Sequence, residues 1–152
     1  LSLDLQDETF CEHWAAAMAD CLRAPAILTF RGEIGAGKTT FIRAMLRALG
    51  VRGAIKSPTF SLVESYDCDN LHVHHFDLYR IVEEGELDYL GFRDYFDSEG
   101  VCCIEWPERA GAYLTHSDLH FELTIRGSGR LMRIEALSAA GESMLSCLVG
   151  KQ

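Results

Sequence analysis

The stretch Gly32-Glu33-Ile34-Gly35-Ala36-Gly37-Lys38-Thr39 fills every fixed position of the pattern G-x-x-x-x-G-K-[ST]. The pattern has chemical meaning only between a buried strand and a helix, and both flanks supply that setting. Ala26-Ile27-Leu28-Thr29-Phe30 has the length and apolar character of a buried strand. From Thr40 to Leu49 the apolar residues Phe41, Ile42, Met45, Leu46 and Leu49 follow helical spacing, and Gly50 is a natural stop. In such a unit the glycines let backbone N–H groups turn inward around phosphate oxygens, and the helix N-terminus adds favourable partial charge. Gly35, Ala36, Gly37, Lys38, Thr39 and Thr40 are therefore expected to contact a nucleotide. Lys38 would reach the β- and γ-phosphates, and the Thr39 hydroxyl would ligate Mg²⁺.

The chain of 152 residues fits one domain, 1–152, and is long enough to bury a real core. Its hydrophobic content of 48% suits a soluble globular protein. The N-terminal residues show no basic region followed by an apolar run, and no segment approaches twenty apolar residues, so neither a signal peptide nor a membrane span is expected. The net charge of −9 disfavours nucleic acid as a direct, extensive ligand. Cys11, Cys21, Cys68, Cys102, Cys103 and Cys147 show no C-x-x-C spacing, which points to reduced, mostly buried cysteines in a cytosolic protein. Cys102 and Cys103 are strand neighbours and should face opposite sides.

Residues 8–23 read as a helix with Thr9 as cap, Glu12 completing a capping box, and an apolar stripe through Trp14, Met18 and Cys21. Residues 59–79 read as a hairpin: partial alternation from Phe60 to Tyr66, a turn at Asp67–Asn70, and a return over Leu71–Tyr79. His72, His74 and His75 lie in that return without the converging ligands a transition metal needs, and read as strand-surface residues. An acidic helix is expected over 81–90, broken at Gly91, with a short helical turn over 93–96. Leu119–Ile125 alternates strictly, turns at Gly127-Ser128-Gly129 and returns over Leu131–Ala136, a second hairpin, and a closing helix follows over 141–148.

Two carboxylates stand at strand ends. Asp77 closes a β-type run after the phosphate loop, where such proteins place a carboxylate near Mg²⁺ or the attacking water. Glu105 ends the continuous apolar run Val101-Cys102-Cys103-Ile104, read as a buried strand, and is a candidate for Mg²⁺ or water positioning. Trp106 beside it packs either in the core or against a partner or nucleotide.

Taken together, the phosphate loop, Ser57-Pro58-Thr59-Phe60-Ser61-Leu62-Val63, His75-Phe76-Asp77-Leu78-Tyr79-Arg80 and Ile104-Glu105-Trp106-Pro107-Glu108-Arg109 resemble the TsaE (YjeE) family, the bacterial ATPases of tRNA threonylcarbamoyladenosine synthesis. Ser138-Ala139-Ala140-Gly141-Glu142 also matches that family's tail. The resemblance covers nearly the whole chain and departs only conservatively, at Glu33 and Ile34. It implies an α/β fold: a single P-loop NTPase-like domain with a mostly parallel central sheet flanked by helices, plus the antiparallel hairpins 59–79 and 119–136. It implies a Walker B-like role for Asp77, Mg²⁺ binding by Glu105, and a switch over Ser57 to Val63. It places Thr9 and Arg130 near the nucleotide. It makes ATP and Mg²⁺ the cofactors, TsaB and TsaD the protein partners, and tRNA an indirect contact through that complex, in the cytoplasm. Lys38, Asp77 and Glu105 would then be the catalytic residues, Thr39 and Glu105 the metal ligands, and Ser57, Pro58, Thr59 and Trp106 the residues that couple to the partner.

Two other functions fit a phosphate loop. A small-molecule or nucleoside kinase would need an acceptor pocket and an arginine-rich lid, but Arg80, Arg93 and Arg109 are scattered. A nucleotide-gated binding module would not need the full set Lys38, Thr39, Asp77 and Glu105.

Overall fold

The computed structural model describes residues 1–97 and 99–152. Its strands form one sheet, in the order β1-β7-β6-β2-β5-β4-β3. They are β1 (Ser2–Leu5), β2 (Ala26–Arg31), β3 (Val63–Cys68), β4 (Leu71–Asp77), β5 (Val101–Glu105), β6 (Leu119–Arg126) and β7 (Gly129–Ala136). The helices are α1 (Glu8–Cys21), α2 (Lys38–Ala48), α3 (Glu86–Leu90) and α4 (Ala139–Val149), with 3-10 segments over Phe92–Asp97 and Pro107–Tyr113.

The sheet is mixed, and the expectation of a mostly parallel sheet is corrected. β6, β2, β5 and β4 run parallel at the centre, while β3 with β4, β6 with β7, and β1 with β7 pair antiparallel. Each hairpin necessarily adds an antiparallel neighbour, and β1 adds a third on the outer edge of β7. Its alternation is plain, with Leu3 and Leu5 buried between exposed Ser2 and Asp4.

The parallel centre is buried on both faces. On one face Leu28, Phe30, Val101, Cys103 and Phe121 pack against α1, α2 and α4; on the other Ile27, Phe76, Cys102 and Ile104 meet Leu87, Phe92 and Ala110. Cys102 and Cys103 do face opposite sides. Phe121 stacks on Phe30 with centroids 4.5 Å apart, and Phe41 of α2 closes the group at 5.9 Å from Phe121.

Several local expectations change. The N-cap of α1 is Asp7, whose carboxylate accepts the Phe10 N–H, so Thr9 lies inside the first turn. The first hairpin strand begins at Val63, because 58–62 closes on itself through Leu62 N–H to Pro58 O at 2.7 Å. The acidic helix shrinks to Glu86–Leu90, since the Glu86 side chain turns back to accept the Val82 and Glu83 N–H groups. Cys21 and Cys147 are not free thiols: they form a disulfide between α1 and α4, with Cα atoms 5.7 Å apart. Cys11, Cys68, Cys102 and Cys103 are free. No helix among the described residues is long and apolar enough to cross a membrane.

Candidate functional site

The parallel strands set the site. β2 runs into the phosphate loop, β4 ends at Asp77 and β5 at Glu105, and the register pairs Phe30 with Glu105 and Glu105 with Asp77. Three chain segments therefore converge at the C-terminal edge of the sheet, where open α/β sheets bind ligands. A cleft of about 610 Å³ opens there, a size that suits a nucleotide-sized ligand.

The loop's backbone explains its glycines. Gly37 caps α2 with φ +103, a left-handed conformation costly for other residues. A Cβ on Gly32 would meet the Leu123 carbonyl oxygen at 2.6 Å, so the loop lies directly against β6. The Lys38 ammonium is buried, donates to the Gly32 and Glu33 carbonyls, and sits 4.4 Å from the Trp106 ring centroid. Burial pulls its pKa down, against the opposing pull of the Glu105 and Asp77 carboxylates.

Glu105 is buried, and the Thr39 hydroxyl lies 2.8 and 2.9 Å from its two oxygens. Asp77 is also buried and accepts the Tyr79 N–H at 3.0 Å. Burial pushes the Asp77 carboxyl up, the Tyr79 N–H pulls it back, and the neighbouring Glu105 adds to the rise. Gly35, Gly37, Lys38, Thr39, Thr40, Asp77, Glu105, Trp106, Thr59 and Arg130 all line the cleft. The Arg130 guanidinium donates to the Gly35 carbonyl at 3.0 Å, tying β7 to the loop.

Four residues expected at the site lie off its walls. Ala36 is fully buried beneath the loop. Thr9 is exposed, while Asp7, Glu8 and Cys11 around it line the cleft. Ser57 and Pro58 precede Thr59 without lining the cleft, and the Ser57 and Thr59 hydroxyls are 2.6 Å apart.

Trp106 adopts a left-handed φ of +58, rare for a bulky residue, and its ring lies between Lys38 and Tyr79. The 57–63 segment docks on the site through Asp77 N–H to Leu62 O, with Leu62 itself at φ +67.

His75 is the site residue that strand-surface reasoning missed. His72 is exposed and His74 half-buried, but His75 is fully buried and its Nε2 lies 2.6 Å from Glu105 Oε2. The signal was present in the period of two, which puts His75 and Asp77 on one face of β4.

The hard oxygen donors of Glu105, Thr39 and Asp77 suit Mg²⁺. Among the described residues no group of three or more His, Cys, Asp or Glu is placed to hold a metal ion by itself.

The model of the family described as threonylcarbamoyl adenosine biosynthesis protein TsaE matches residues 5–132. The chain belongs to the TsaE family. It is 38% identical over 122 residues to the Haemophilus influenzae protein named tRNA threonylcarbamoyladenosine biosynthesis protein TsaE, covering 80% of this chain and 77% of that one. The Bacillus subtilis protein of the same name is 35% identical over 115 residues, covering 76% and 70%. A crystal structure of Bacillus subtilis YdiB superposes with a TM-score of 0.85 over 99% of this chain and 95% of that one, at 24% identity, and so shares the fold. The TsaE model spans the phosphate loop, Asp77, Glu105 and Arg130, so every wall of the cleft formed by these residues falls within the family match.

Proposed function

We propose that residues 1–152 form a single P-loop domain that binds ATP with Mg²⁺ and hydrolyses it. That hydrolysis supports threonylcarbamoyl transfer to tRNA by TsaB and TsaD in the cytoplasm. The observation that carries this reading is the convergence of Lys38, Thr39, Asp77 and Glu105 on one cleft, with Thr39 already hydrogen-bonded to buried Glu105.

In this reading the phosphates replace the loop carbonyls as partners of Lys38, whose charge then lies against the β- and γ-oxygens. Backbone N–H groups of residues 35–40 hold the phosphates at the start of α2. Thr39 and Glu105 hold Mg²⁺, which supplies charge neutralisation on the phosphate oxygens. Asp77, whose carboxylate accepts the Tyr79 N–H, would orient the attacking water. Arg130, Asp7 and Cys11 also line the cleft and would border the rest of the nucleotide.

Thr59 and Trp106 connect the nucleotide to the outside. Thr59 belongs to the segment whose Phe60 is 83% exposed, and Trp106 directly follows Glu105. A kinase reading finds less support. The three arginines considered for a lid make other contacts: Arg80 over Phe60, Arg93 over Tyr113, and Arg109 on the Ile81 carbonyl.

The test is ATP turnover by the purified protein with and without the TsaB–TsaD pair. Slow turnover alone and clear stimulation by the pair is expected. A phosphorylated small-molecule product, or no effect of the pair, would contradict the proposal.

A further inference from the structure

His75 is a fully buried imidazole, and among the described residues its one hydrogen bond goes to Glu105. Its other nitrogen, Nδ1, is buried without a partner. An apolar side chain of similar size would fill this space without the orphaned Nδ1, so packing alone does not account for a histidine here. The hydrogen bond it makes is short, 2.6 Å, and falls on the carboxylate that also meets Thr39.

The geometry assigns a hydrogen to Nε2. An ionised carboxylate accepts and does not donate, so Nε2 carries the hydrogen of this contact, and Nδ1 is left without a partner. Glu105 has two oxygens and two side-chain partners from different elements, Thr39 of α2 and His75 of β4. Thr39 has one hydrogen to offer, which it can give to Oε1 while His75 holds Oε2. The carboxylate is then pinned at both oxygens and cannot rotate, and Thr39 keeps its lone pairs free for a cation. Without His75, one oxygen of a buried carboxylate is unpartnered and the group is free to turn.

We propose that His75 is a positioning residue that fixes the Glu105 carboxylate in the orientation from which Glu105 and Thr39 together receive Mg²⁺. This rests on the nucleotide reading above and adds to it a residue that touches neither nucleotide nor metal. It also explains why β4 carries the His75-x-Asp77 pair: one strand face delivers both the residue that aims Glu105 and the second carboxylate.

The test compares His75→Phe, which keeps a planar ring and removes the donor, with His75→Gln, whose amide N–H sits at comparable reach. ADP affinity is measured by calorimetry with and without Mg²⁺, and the ratio of the two affinities is the readout. The ratio should fall by about 10–100-fold in His75→Phe, the range for losing the residue that orients a metal ligand. His75→Gln should recover most of that loss. An unaltered ratio in His75→Phe, or equal loss in both variants, overturns the inference. A wild-type protein that binds no ADP at all sinks the nucleotide reading itself, and this inference with it.

The wild-type protein gives an independent readout should His75→Phe not fold. In nitrogen-15 spectra of histidine-labelled protein, His75 should show the Nε2–H tautomer, with its signal moving on addition of ADP with Mg²⁺ and not with ADP alone. An Nδ1–H tautomer, or a signal indifferent to Mg²⁺, overturns the inference.

Discussion

At the residue scale the site is two carboxylates with different surroundings. Glu105 is pinned by Thr39 and His75, whereas Asp77 has one backbone N–H and a carboxyl pushed up by burial. Asp77→Asn and Glu105→Gln keep size and remove charge. Each should cut hydrolysis roughly 100-fold or more while changing nucleotide affinity far less, as read by kcat beside calorimetric Kd. Equal loss in both quantities would assign them to ground-state binding. Thr39→Ala should instead remove the Mg²⁺-dependent share of affinity and leave the Lys38 contribution. A second residue-level prediction concerns the thiols on the two faces of β5. Burial pushes Cys102 from its ordinary 9.0 up to about 12, and Cys103 moves in the same direction. Above pH 9 the unfolded chain loses these protons while the folded chain keeps them, so stability should fall as pH rises from about 9 towards 12. Urea unfolding at pH 8 and pH 10 measures this, and Cys102→Ala should flatten the decline; an equally steep decline would remove Cys102 from the account.

At the element scale the two hairpins do different work. β6 and β7 brace the phosphate loop through Leu123 and Arg130, while β3 and β4 carry the 57–63 segment to Asp77. A nucleotide moves such a segment only through contacts that differ between bound and free states. Thr59→Ala and Trp106→Ala should therefore leave ATP binding by the isolated protein largely intact. They should lower association with TsaB–TsaD, or its stimulation of hydrolysis, in a pull-down and ATPase assay run with ATP, with ADP and without nucleotide. Variants that bind the pair and respond like the wild type would make these residues packing alone. Much at this scale was legible in the sequence. The strand–loop–helix unit, the strict alternation of β6 and the apolar run ending in Glu105 each carried their own period or motif. What was not legible depended on contacts distant in sequence or on competing local bonds. β1 exists because β7 offers it an edge, Asp7 outcompetes Thr9 as a cap, and Glu86 spends its carboxylate on the loop before α3. The disulfide between Cys21 and Cys147 joins residues 126 apart in sequence, with no spacing motif to announce it.

At the scale of the whole molecule, a mixed sheet brings three parallel strand ends together and uses antiparallel edges to support them. The four residues of the proposed chemistry lie on α2, β4 and β5, and the sheet register alone places Asp77 opposite Glu105. This edge is proposed to be a Mg²⁺–ATP site organised by Lys38. Calorimetric titration of ATP with Mg²⁺ into the wild-type protein and into Lys38→Ala tests it most directly. Saturable binding by the wild type is expected, with a loss of at least about thirtyfold in the variant, equivalent to ~2 kcal/mol for removing a buried charge partner. Equal ATP affinity in the two proteins would contradict it.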